Sequence, residues 1–147
     1  MIALDTNILV YAHTPRDPHH SEARTALNWL AASGRSWAIP LPSVVEFARL
    51  ASHPRILNRS IEETCGALDA LVKAPGCQII ALPDSGWSDL REALLDGHAL
   101  GNLVFDAHIV AVCRANGVGA LLTEDRDFQR FRGVRTVRLS DDWKTRA

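Results

Sequence analysis

Met1-Ile2-Ala3-Leu4-Asp5-Thr6-Asn7-Ile8-Leu9-Val10-Tyr11-Ala12 is the stretch that decides the fold. Its first four residues are apolar, too few for a helix but suited to a buried parallel strand. An acid and two hydrogen-bonding residues follow, and then a second apolar run begins. In an open α/β sheet, ligands collect outside the carboxyl ends of the strands. Asp5 would stand at that edge, with Thr6 and Asn7 able to cap the next helix and steer the carboxylate.

Outward from this unit, short apolar runs alternate with helical patterns. A short helix over 8–12 gives way to the proline-punctuated loop 14–18. Ala23, Ala26, Leu27, Leu30 and Ala31 then form an apolar helical stripe, stopped by Gly34. Residues 37–40 form a strand, and Pro42-Ser43 opens a helix that His53-Pro54 closes. After an irregular basic connector over 54–60, a helix over 61–73 turns Ile61, Cys65, Leu68, Leu71 and Val72 inward. Residues 77–82 form a strand; Pro83-Asp84-Ser85 opens a helix through Trp87, Leu90, Ala93, Leu94 and Leu95. Residues 103–113, almost wholly apolar, form a buried helix, 120–123 another buried strand, and 134–139 an edge strand before a polar tail over 141–147. Strands alternating with helices imply a three-layer α/β/α sandwich around a mainly parallel sheet. No repeat or linker divides the chain, so one domain over 1–147 is expected.

Composition narrows the function less than the fold. Sixteen basic against seventeen acidic residues leave a formal charge of -1, so no basic excess argues for nucleic acid. A local basic rim around an acidic site would not show in that sum. No run approaches the eighteen or so apolar residues of a membrane span. The opening residues lack a basic, cleavable leader, which makes the cytoplasm the expected location. Cys65, Cys77 and Cys113 lack metal-knuckle spacing and are expected to be buried thiols. The adjacent His19 and His20 have no third partner at ligand spacing.

The chemistry rests on acids. Glu46 lies in the first turns of an apolar helix, as a solvated residue, a dipole partner or a site residue. Asp106 interrupts the buried helix near its start, where an unpaired charge costs several kcal/mol; Asn102, four residues earlier, could orient it through a hydrogen bond. Thr123-Glu124-Asp125-Arg126-Asp127-Phe128 repeats the opening pattern of a strand followed by acids. Asp5 and Asp125 leave carboxyl strand ends, while Glu46 and Asp106 lie early in helices that can begin at the same edge. Carboxylates that close repel one another unless they share a cation. Oxygen-only ligands favour Mg²⁺ or Mn²⁺, ions that support in-line phosphoryl transfer. Metal-dependent phosphodiester hydrolysis follows; a phosphatase would use similar parts.

Together, Leu4-Asp5-Thr6-Asn7, the helix with Glu46, Asn102-x-x-x-Asp106-Ala107 and Thr123-x-Asp125-x-Asp127-Phe128 resemble a PIN domain. In its compact length the chain is similar to the VapC ribonuclease toxins of type II toxin–antitoxin pairs. The resemblance implies a catalytic acidic quartet of Asp5, Glu46, Asp106 and Asp125. Asp5 and Asp106 would be the principal metal ligands, assisted by Asp125, with Glu46 positioning or deprotonating the attacking water. Thr6, Asn7, Ser43 and Thr123 would be donors that fix the carboxylates. Asp125 is favoured over Asp127 as fourth acid, and Asp127 would cap the short helix at Phe128. Homodimers, a structured RNA substrate such as tRNA or a ribosomal RNA loop, and silencing by a VapB-type antitoxin are also implied. An antitoxin Arg or Lys inserted among the carboxylates would compete with the metal. The stripes at Leu27–Leu30 and Leu68–Leu71 could form the antitoxin groove or belong to the core. Arg16, Arg49, Arg55, Arg59, Arg91 and Arg126 are candidates for a phosphate-binding rim. Two alternatives stand: a small phosphatase, disfavoured because no second aspartate follows Asp5 two residues on, and an inactive PIN-like binding module.

Overall fold

The computed structural model describes residues 1–144. The first strand, β1 (Ile2–Leu4), is the centre of the sheet. On one side it pairs with β2 (Trp37–Pro40), which pairs with β3 (Cys77–Ile80); on the other it pairs with β4 (Ala120–Leu122), which pairs with β5 (Arg135–Val137). All these pairings are parallel, with Ile2 opposite Trp37 and Ala120. The chain therefore winds outward from β1 in one direction, then restarts beside it in the other. The boundary between β1 and β4 is the switch point where such sheets bind ligands.

The two-residue period of a strand sorts side chains between the faces. Ile2, Leu4, Trp37, Ile39, Ala120 and Leu122 join one core with α1 (Thr6–Ala12), α2 (His20–Ala32) and α3 (Leu41–Ser52). Ala3, Ala38 and Leu121 join a second core with α5 (Trp87–Asp96) and α6 (Leu103–Ala115). Helices on both faces make the expected three layers. Leu27, Leu30 and Leu71 lie in the first core with Leu68 packed against it, so those stripes pack against the sheet.

Several expectations need correction. Along α4 (Ile61–Val72) the inward line is Thr64, Leu68 and Leu71, whereas Ile61 and Val72 are exposed. That i, i+4, i+7 line is the face the helix turns to the core; apolar residues off it stay in water. Among the cysteines, Cys113 is buried, Cys77 is half-buried and Cys65 is exposed. The helix over α6 is buried only from Ala107 onward, since Phe105 is 61% exposed in its first turn. The tail over 141–147, part of which lies outside the described residues, is not simply polar. Trp143 is buried and meets Trp29 edge to face, with ring centroids 5.4 Å apart.

Candidate active site at the carboxyl edge of the sheet

Asp5 leaves β1 and caps α1, accepting from the Thr6 backbone N–H at 2.7 Å. The acid itself is the cap, not Thr6 or Asn7. Its other oxygen accepts from the Thr123 hydroxyl at 2.6 Å, where β4 ends. That hydroxyl also accepts from Asn7 Nδ2 at 3.1 Å and from the Asp125 N–H at 3.0 Å. Thr6 turns its hydroxyl the other way and donates to Glu46 Oε2 at 2.9 Å. One chain of hydrogen bonds thus runs from Glu46 through Thr6, Asp5 and Thr123 to Asp125, tying together three separated segments.

Glu46, Asp106 and Asp125 line one open cleft of roughly 1090 Å³, together with Arg49, Asn102, His108 and Asp127. Leu41, Pro42, Val45, Leu100 and Phe105 supply its apolar wall. Asp5, only 5% exposed, is buried behind this lining. Its carboxyl is raised to about 7 by burial; the bonds from Thr123 and the Thr6 N–H oppose this, and the charges of Asp106 and Glu46 add to it. Asp106 is raised to about 6, by burial first and then by Asp125, Glu46 and Asp127, with Arg130 acting in the opposite sense. Burial lowers the pKa of His108, which lines the cleft.

Not every expected donor reaches a carboxylate. Ser43 is fully buried and its hydroxyl has no hydrogen-bond partner, so it fixes no acid. Asn102 lines the cleft at the start of α6, but its side chain makes no capping bond and none joins it to Asp106. The cap of the short 3₁₀ helix Arg126–Arg130 is Asp125, which accepts from the Asp127 N–H at 2.8 Å. Asp127 instead pairs with Arg130 at 3.1 Å. Arg130 escaped the sequence reading; its one signal is the three-residue spacing from Asp127, which brings the two together on a helical turn.

The donor set suits a hard dication. Carboxylate oxygens dominate it, burial raises the carboxyls of Asp5 and Asp106 so that a cation would favour their charged forms, and Asn7 Oδ1 is buried beside them without a partner. Among the described residues no three His, Cys, Asp or Glu side chains are already gathered into a ligand group.

A profile of the PIN domain matches residues 2–134. The chain belongs to the PIN domain family. Among relatives of this PIN domain, a VapC ribonuclease of Mycobacterium bovis is 31% identical over 137 residues, covering 92% of each chain. Ribonuclease VapC48 of Mycobacterium tuberculosis is 28% identical over 134 residues, 89% of this PIN domain and 92% of the relative. In architecture it is similar to VapBC2 of Rickettsia felis bound to a promoter DNA fragment, with TM-score 0.66, 23% identity and coverage of 94% and 98%. It is equally similar to VapC20 of M. tuberculosis, a Sarcin-Ricin loop cleaving toxin, with TM-score 0.66, 19% identity and coverage of 92% and 99%. The expected fold and family are both found.

Proposed function

We propose that this PIN domain is an endoribonuclease toxin that hydrolyses RNA phosphodiester bonds with a divalent cation, Mg²⁺ or alternatively Mn²⁺. The observation that carries the reading is that Glu46, Asp106 and Asp125 line one cleft at the switch point, with Asp5 buried behind it and linked to Glu46 and Asp125 through Thr6 and Thr123. Its relatives named as VapC ribonucleases match along nearly the whole chain. Asp5, Asp106 and Asp125 would hold the cation, which would neutralise charge on the phosphate and help activate water. Glu46 is held by the Thr6 hydroxyl and faces the cleft, placed to orient an attacking water or take its proton. Thr123 and the Thr6 N–H hold the two oxygens of Asp5, the carboxylate that would ligate the cation.

The partners follow from the same relationship. A VapB-type antitoxin would silence the enzyme by placing an Arg or Lys among carboxylates that otherwise need a cation. Homodimerisation, an RNA substrate such as tRNA or a ribosomal RNA loop, and a cytoplasmic location belong to this reading. No helix among the described residues is long and apolar enough to cross a membrane. Incubating total RNA with the purified protein tests the proposal. Discrete cuts that vanish with EDTA and in Asp106→Asn support it; cuts that survive both overturn it.

A further inference from the structure

A nuclease cleft floored by acids has to hold a polyanion, so the position of its cations matters. Arg49 is the only Lys or Arg among the described residues that line the cleft. Beside the acids at this edge, Arg126 is exposed on the short 3₁₀ helix but does not line the cleft, and Arg138 pairs with Glu124. Arg130 pairs with Asp127 and also reaches the Gly97 carbonyl. Arg49, by contrast, is 63% exposed and held by one contact, a 3.4 Å pair with Glu46 Oε1 three residues earlier on α3. So exposed a pair costs little to break.

Resting on the nuclease reading, we propose that Arg49 grips a phosphate of the bound RNA strand next to the scissile one and leaves Glu46 as it does so. The planar guanidinium matches phosphate oxygens in a bidentate fork, a stronger partner than the long contact it gives up. Glu46 would remain anchored through Oε2 to the Thr6 hydroxyl while Oε1 becomes free to face water. Strand binding and release of the water-positioning carboxylate would then be one event. Arg49 is here a substrate-binding residue, and its loss should act on affinity before it acts on chemistry.

The test compares wild type with Arg49→Ala and Arg49→Lys. Binding of a fluorescent, single-stranded RNA oligonucleotide of mixed sequence is measured in EDTA over a salt series, and steady-state cleavage of total tRNA is measured with Mn²⁺. Arg49→Ala should weaken binding by roughly tenfold to a hundredfold, as expected for a lost charged hydrogen bond. The slope of log K against log salt should become shallower by about 0.7, the value for one phosphate contact on a single strand. KM should rise with kcat nearly held, and Arg49→Lys should recover the salt slope but only part of the affinity. A fall in kcat with KM and salt slope unchanged would overturn the proposal and make Arg49 a mere prop for Glu46. Should Arg49→Ala melt early, Arg49→Gln keeps the stem without the charge and is read by the same criteria. Wild type that cleaves while Arg49→Ala matches it in every readout overturns this inference alone. Wild type that neither binds nor cleaves RNA overturns the nuclease reading with it.

Discussion

Thr123 donates its hydroxyl proton to Asp5 across 2.6 Å, joining residues 118 positions apart in the chain. The bond crosses the β1/β4 boundary and sets the geometry of the acidic site. The same oxygen accepts from Asn7 and from the Asp125 N–H, so one hydroxyl serves three groups.

Thr123→Val should therefore do more than remove one hydrogen bond. It leaves Asp5 Oδ2, Asn7 Nδ2 and the Asp125 N–H without their partner, at about 1–3 kcal/mol for each group that stays buried and unpaired. Because the groups share one site, the sum will be less than additive. Denaturant unfolding should show a loss of at least about 1 kcal/mol, largely restored by Thr123→Ser; an unchanged midpoint would remove Thr123 from its place as the hub.

Asp5 also gives metal-free stability a definite pH dependence. Its folded carboxyl sits at about 7 against an ordinary 3.8, so between those values the folded state keeps a proton that the unfolded chain has lost. Stability from this group is therefore highest at the acid end and falls as pH rises toward 7, on the order of 1.4 kcal/mol for each pH unit crossed. Asp106, raised to about 6, acts in the same direction over a narrower window. Asp5→Asn carries no charge to bury and still caps α1. Its stability relative to wild type should grow from pH 4 to 7 and level off above. A constant difference across that range would contradict the burial argument.

A divalent cation should reverse that penalty. Mn²⁺ or Mg²⁺ at a hundred times its Kd would stabilise wild type by about 2.7 kcal/mol. Binding at pH 6 should release protons into weakly buffered solution, because Asp5 and Asp106 must ionise to act as ligands. A melting curve that ignores saturating Mn²⁺ would count against the metal site.

Trp143 offers a test far from the chemistry. Buried against Trp29, it should cost about 3–5 kcal/mol when cut to alanine, while a residue in a solvated tail would cost under about 0.5 kcal/mol.

Much of this was legible from residue order. Four-residue apolar runs such as 1–4 and 37–40, alternating with longer helical patterns, read as strands of a parallel sheet, and acids that follow such strands lie at one sheet edge. Asp5 and Asp125 are found there, as are Glu46 and Asp106 from helix starts. Partner choice was less legible. Thr6, Asn7, Ser43 and Thr123 are alike in chemistry, yet Ser43 points where nothing answers its hydroxyl. Which donor meets which acid depends on helix rotation set by core packing, which composition does not encode locally. For the same reason Ile61, Val72 and Phe105 look like core residues but are exposed, and Trp143 looks like part of a tail but is buried. Asp125 as the helix cap in place of Asp127 turns on a two-residue offset that spacing cannot resolve.

Cleavage of total cellular RNA by the purified protein, with the product ends sequenced, is the first measurement to make. It would be run with Mn²⁺, with EDTA, and with Asp106→Asn confirmed to be folded. A PIN nuclease built on these four acids will make discrete cuts in wild type with Mn²⁺ and none in the other two. Cuts that persist in EDTA and in Asp106→Asn, or no cuts under any condition, would contradict it.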